Sequence, residues 1–346
     1  MLPLPSLISA GEKVLRRALG VIRRISFVIE QVIRILGMQF VLAPAAYVLP
    51  RKLALAIANA LALLLVILPI PGLHMYRQMR RAFGKNRFDS FCLALGWLAR
   101  PLRDFVVLKR LVYRREDPSK WRIVERNVDG INSLRESGES YIIATAHFPK
   151  RPGLSIHSPE ITYGHNVQVA NPVVTHVRCL HDLRIRIQYG ALLKAFACYR
   201  RDCEHVFIKN LRTARTLYSR LRERGNVVFI PVDGGWGKTL TGCCERAFAG
   251  QRSRVFSTGA AQLARLAGCP IISCVHVLET DGTIVLEWGV PIRIVGSDAA
   301  NEVNVMNEVF NRLEIAIGER PTQYIFEVGG ERRWNSQSRR WEDITE

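Results

Sequence analysis

The sequence predicts an α/β fold: a mostly parallel or mixed central sheet flanked by helices, preceded by a membrane-associated helical segment. Three observations predict it. Past residue 137, short apolar β-branched runs alternate with helical patterns, the arrangement that packs helices on the faces of a sheet. The N-terminal third joins the most apolar stretch of the chain to a large excess of basic residues. Apolar residues make up 48% and charged residues 23% of the chain, a balance that excludes a disordered chain and a small disulfide scaffold.

The charge comes first, because its position matters more than its size. The 346 residues carry 49 Lys/Arg against 30 Asp/Glu, a net +19. Residues 1–110 hold 17 Lys/Arg and 4 Asp/Glu, a net of +13, which leaves +6 for the rest. The stretch 53–72 (LALAIANALALLLVILPIPG) lies between Arg51–Lys52 and the cluster Arg77, Arg80, Arg81, Lys85 and Arg87. Basic residues beside a long apolar helix suit anionic headgroups. A nucleic-acid binder interleaves its cations with aromatics on a folded surface, so membrane lipids are the expected partner and nucleic acid is not. A span needs ~20 apolar residues, which 53–72 just reaches, with Asn59 inside and prolines at 69 and 71. Spanning and monotopic anchoring both stay open. In 26–50, interrupted by Glu30 and Arg34, the spacing of Ile22, Ile25, Ile29, Ile33 and Leu36 predicts an amphipathic helix in the interface. The first residues lack the order of a secretory signal. Residues 1–75 thus read as an anchoring segment, 76–136 as a helical lead-in and 137–346 as the α/β domain.

The remaining elements follow from local pattern. Residues 75–113 read as helical, 115–122 as polar, and the chain as helical again to Glu136. The run 140–146 (SYIIATA) between Gly138 and His147 reads as a buried strand. Weaker strands are expected at 167–170 and 205–208. Residues 209–224 form a helix with Leu211, Ala214, Leu217 and Leu221 on one face, stopped by Gly225. The run 226–232 (NVVFIPV) is a second buried strand. Ser257 and Thr258 cap a helix to Ala267, ended by Gly268. Strands are expected at 270–278 and 283–288, and a last helix at 299–317.

In such sheets the ligand site lies beyond the carboxyl ends of the strands. His147 follows the first buried strand by one residue, and Asp233 follows the second, with Gly234 and Gly235 behind it. If those strands are parallel neighbours, an imidazole and a carboxylate meet at one edge of the sheet. The eight cysteines form no C-x-x-C pair and the eight histidines lack metal spacing, so no metal and no cofactor are expected, and the thiols read as reduced and mostly buried.

Five short blocks, taken in order, resemble the bacterial lipid A late acyltransferases of the lysophospholipid acyltransferase superfamily. They are Ala144-Thr145-Ala146-His147-Phe148, Val228-Phe229-Ile230-Pro231-Val232-Asp233-Gly234, Phe248-Ala249-Gly250, the stretch from Thr258 to Ile272, and Pro321-Thr322-Gln323-Tyr324. The resemblance implies a membrane-bound enzyme of the bacterial inner membrane, its catalytic domain facing the cytoplasm. The implied reaction moves a fatty acyl chain from acyl carrier protein or coenzyme A to a hydroxyl of a lipid or glycolipid acceptor. It places the general base at His147 and acceptor binding near Gly234, Arg200 and Arg201.

The chemistry suits these residue types. A hydroxyl attacking a thioester needs a base, and imidazole works near neutral pH; a carboxylate beside it fixes the tautomer and stabilises the imidazolium. The family pattern sets an Asp or Glu five positions after the His. Here the run is His147-Phe148-Pro149-Lys150-Arg151-Pro152, and Pro152 carries no carboxylate. Asp233 or Glu160 replaces it, or the imidazole acts unassisted and ~10²–10⁴ slower. The alternative is a member that has lost acyl transfer and keeps lipid binding. Lys150 and Arg151 add two cations suited to a phosphorylated acceptor.

Overall fold

The computed structural model describes residues 21–22, 25–67, 71–147, 166–170, 179–199, 203–207, 211–233, 242–249, 251–294, 296, 299–324, 332–335 and 340–343. Seven strands form one mixed sheet: β1 (Ile123–Arg126), β2 (Tyr141–Thr145), β3 (Asn166–Ala170), β4 (Cys203–Phe207), β5 (Val227–Pro231), β8 (Ile271–Leu278) and β9 (Ile284–Trp288), in the order β1-β9-β8-β2-β5-β3-β4. β8, β2, β5, β3 and β4 run parallel; β9 turns back against β8, and β1 pairs with β9 in parallel. Two hairpins stand outside it, β6 (Cys243–Phe248) with β7 (Gln251–Ser257), and β10 (Arg332–Asn335) with β11 (Arg340–Asp343).

The central strands are apolar throughout because both of their faces are covered. Ile142, Ala144, Val228, Ile271, Val275 and Val277 meet helices on one face: α7 (Leu211–Arg222), α8 (Gly259–Ala267) and α9 (Ala299–Glu319). The alternate residues Tyr141, Ile143, Val227, Phe229, Ile272 and Cys274 meet Ile131 and Leu134 of α5 (Asp129–Ser137) on the other. Gly138 and Gly268 close α5 and α8 in the left-handed conformation that glycine adopts without cost, at φ 61° and 68°. Thr258 stands at the cap of α8, yet the oxygen that reaches the helix is Ser257 Oγ, which accepts from Gly259 N at 3.1 Å.

The N-terminal third folds as a helical layer. α1 (Ile25–Val48) contains a π-helical segment, Gly37–Leu42, and is followed by α2 (Arg51–Ile67), α3 (Pro71–Phe83) and the 26-residue α4 (Arg87–Val112). α1, α2 and α4 bury a common cluster with Ala191 and Ala195 of α6 (Leu180–Tyr199). Arg110 of α4 donates to the carbonyls of Ala46 and Leu49 at 3.2 and 2.8 Å. Glu116 then takes Arg51, Arg110 and the Trp121 ring N–H at 3.1, 3.3 and 3.2 Å. This clamp fixes the turn between α1 and α2 to the end of α4.

Several expectations change. Of the apolar stretch 53–72 the structure describes α2 as far as Ile67 and α3 from Pro71; residues 68–70, with Pro69, lie outside the described residues. Among the described residues, one helix is long and apolar enough to cross a membrane, Ile25–Val48, with mean hydropathy 1.6. Its stripe is inverted relative to a helix in water. Ile25, Ile29, Leu36 and Phe40 face outward, while Gln31 and Arg34 are buried. Arg34 pairs with Glu30 at 2.8 Å, and Arg184 of α6 donates to Gln31 at 2.8 Å. The stretch 76–136, expected to be helical, contains β1 at the sheet edge. Among the described residues seven cysteines are free, and Cys92, Cys179, Cys198 and Cys243 of them are exposed. Burial pushes the Cys244 and Cys269 thiols up to about 11 and about 12.

Candidate active site

β2 and β5 are adjacent and parallel, and their register pairs Thr145 with Pro231. The ladder continues one step further through Val232 N to Thr145 O at 2.8 Å. His147 and Asp233 each stand two residues past the registered pair, so equal strand lengths deliver them to the same place at the carboxyl edge. Parallel pairing is what turns two isolated strand-end residues into a site.

The contact between them is double. His147 N–H donates to Asp233 Oδ2 at 2.8 Å, and its ring Nδ1 lies 2.6 Å from Oδ1. A carboxylate at Nδ1 assigns the ring proton to that nitrogen and leaves the Nε2 lone pair as the base. The Asp233 side chain is fully buried, while that of His147 keeps 27% exposure, so the imidazole is reachable and its partner is not.

Two further residues complete the surroundings of Asp233. Arg254 of β7 donates through Nη2 to the Asp233 carbonyl at 2.7 Å and through Nη1 to the Tyr324 hydroxyl at 3.2 Å. Burial pushes the Asp233 carboxyl upward, but the His147 charge, both His147 hydrogen bonds and the Arg254 charge outweigh it, and the group is held below the usual carboxylate range. Burial and the Asp233 charge push the Tyr324 phenol well up, against the smaller opposing pull of Arg254. The phenol is therefore neutral and able to donate.

Of the residues expected from sequence, the structure brings His147 and Asp233 together. Lys150, Arg151, Pro152, Glu160, Arg200, Arg201 and Gly234 lie outside the described residues. Sequence reasoning missed Arg254 and gave Tyr324 no role. Tyr324 closes one of the resemblance blocks, which was a usable signal; Arg254 sits in the polar run Gln251-Arg252-Ser253-Arg254, which reads as a solvated turn. Among the described residues no group of His, Cys, Asp and Glu is arranged to hold a metal ion.

The site is a buried carboxylate backing a half-accessible imidazole, at the sheet edge where α/β folds place ligands. No protein-family model matches the chain, and no curated protein aligns with it significantly.

Proposed function

We propose that the chain is a membrane-bound O-acyltransferase. It moves a fatty acyl chain from an acyl carrier protein or coenzyme A thioester to a hydroxyl of a lipid or glycolipid acceptor, as the lipid A late acyltransferases do. The observation that carries this reading is the double hydrogen bond between His147 and Asp233 at the carboxyl edge of parallel strands. It supplies the orienting carboxylate that Pro152 does not.

In this reading His147 Nε2 takes the proton of the acceptor hydroxyl as the oxygen attacks the thioester carbonyl carbon. Asp233 stabilises the imidazolium that forms and holds its Nδ1–H in place. The tetrahedral intermediate collapses, the C–S bond breaks, and the imidazolium returns its proton to the leaving thiolate sulfur. The products are an ester and a free thiol, and the base is regenerated without a redox step.

The inverted stripe of α1 supports placement at a bilayer, because intramembrane polar residues turn toward protein partners and leave apolar ones to lipid. The basic residues Arg77, Arg80, Arg81, Lys85 and Arg87, from α3 to the start of α4, are exposed and suit an anionic cytoplasmic leaflet, which supports the bacterial inner membrane with the α/β domain on the cytoplasmic side.

The test is acyl transfer from labelled acyl thioester to membrane lipid by the purified full-length protein. Wild type should form labelled ester, and His147→Ala should lower turnover by at least ~10² while leaving the melting transition in place. A folded His147→Ala variant with undiminished transfer would show that another residue is the base. A wild type that binds lipid and forms no ester would leave the lipid-binding reading instead.

A further inference from the structure

We propose that Arg254 is a positioning residue for the His147–Asp233 pair: it fastens the main chain of Asp233 and, with the Tyr324 hydroxyl as its second acceptor, fixes the residue whose carboxylate holds the ring. The consequence for rate rests on the acyltransferase reading; the geometry of the pair does not.

Asp233 is gripped at both ends. Its carbonyl accepts from Arg254 Nη2 at 2.7 Å, and its carboxylate accepts from His147 N and His147 Nδ1. Arg254 Nη1 donates to the Tyr324 hydroxyl oxygen at 3.2 Å. One guanidinium thus ties the Asp233 main chain to Tyr324, with His147 attached at the carboxylate.

The arginine reaches this position from outside the main sheet. It belongs to the β6–β7 hairpin, is 6% exposed, and lies 5.1 and 5.9 Å from the ring centres of Phe256 and Phe248. Phe248 also packs edge-on to the Tyr324 ring, with centroids 6.2 Å apart. A guanidinium buried against phenyl rings is costly unless its donors are satisfied, and here the donors end on the Asp233 carbonyl and the Tyr324 hydroxyl. The requirement is for a planar fork. Two of its N–H groups meet two separate acceptors while its Cζ lies within 6 Å of two phenyl ring centres, which a lysine ammonium does not reproduce. Its charge beside Asp233 also favours the carboxylate form. Arg254 of β7 faces Asp233 at its carbonyl, and Tyr324, after the 3₁₀ turn Pro321–Gln323, meets that arginine.

The experiment reads the ring directly. Full-length protein carrying ¹⁵N-histidine, in detergent micelles, reports the tautomer of His147 through its two ring nitrogen shifts, assigned by their loss in His147→Ala. Wild type at a pH where the ring is neutral should show the Nδ1–H form. Arg254→Met and Tyr324→Phe should each move those shifts toward a mixture of tautomers, and Arg254→Lys should fall between Met and wild type. In acyl transfer the same order should appear as a fall in kcat of about tenfold or more for Arg254→Met, with KM changed less than about threefold. If Arg254→Met does not fold, Tyr324→Phe, which deletes one oxygen, decides the matter alone. Folded variants whose His147 shifts match wild type would overturn the positioning role, whatever the protein catalyses. Shifts that move in a protein without acyl transfer would uphold the positioning role and reject the acyltransferase reading.

Discussion

Asp233 holds His147 by ring and main chain together, so the carboxylate cannot let go of the imidazole without also releasing a backbone N–H. A rotation of the Asp233 side chain that frees the ring therefore breaks two hydrogen bonds. This coupling makes Asp233 more sensitive to isosteric replacement than a carboxylate that touches a ring alone.

Asp233→Asn tests that coupling. An amide has one acceptor oxygen for two donors, so either the His147 N–H or its Nδ1–H faces an NH₂ group. The ring then favours the wrong tautomer, and kcat for acyl transfer should fall by ~10²–10⁴. The cooperative melt should persist, and a loss under tenfold would argue that the carboxylate is dispensable.

The pH dependence of stability has a definite sign. The folded Asp233 carboxyl is depressed by the His147 charge and hydrogen bonds and by Arg254, against the opposing effect of burial, whereas in the unfolded chain it titrates near about 3.9. Stability from the ionised group is therefore full above the unfolded value and is lost as pH falls through the lower folded one. The difference in melting temperature between wild type and Asp233→Asn should hold at about pH 5 and shrink below about pH 4. A difference that stays the same into strong acid would count against it.

Gly96 of α4 lies against Thr322, where an added Cβ would stand 2.9 Å from the Thr322 methyl and 3.3 Å from its Cβ. The Thr322 carbonyl also receives Arg100 at 2.7 Å, so the turn leading to Tyr324 is pressed onto the helix. Alanine is the better helix former by ~1 kcal/mol, but overpacking costs ~1–3 kcal/mol. Gly96→Ala should destabilise the wild type, and in a Thr322→Ser background, which lacks the methyl, the same change should cost less or stabilise. Equal effects in both backgrounds, read by denaturant unfolding, would refute the contact.

Glu30 and Arg34 form a buried pair, with side chains 14% and 4% exposed. Removing one partner of such a pair leaves a stranded charge and costs ~3–5 kcal/mol, whereas replacing both by apolar groups costs much less. Glu30→Leu should therefore lower the melting temperature in detergent more than Glu30→Leu combined with Arg34→Leu. Equal losses would place the pair in a solvated setting.

The sequence reading reached the two strands that matter because their signals are local. Apolar runs 140–146 and 226–232 are bounded by Gly138 and Gly225, and a strand buried on both faces needs nothing else to be recognised. What escaped was long-range. α6 shows no apolar face in sequence because its buried face mixes residue types, Gln188 beside α1 with Ala191 and Ala195 in the helical core. β1 is four half-exposed residues at an edge. Arg254 is charged, flanked by polar residues, and buried only because the hairpin returns across the sheet edge. The same holds in α1: Glu30 and Arg34 interrupt an apolar run, and a one-dimensional reading counts them as interruptions when they face inward.

The length of α4 sets a phase as well as a distance. Arg100 ties one part of it to the Thr322 turn beside the site, and Arg110 ties its end to the α1–α2 turn. About 15 Å of helix separates the two ties. One residue inserted between them would swing the hairpin about 100° around the α4 axis, pointing its apolar face away from the plane the site now addresses. Seven residues would restore the bearing but lift the hairpin by about 10 Å. The helix acts as a keyed shaft, in which anchor and site stay aligned at one setting of length and angle together.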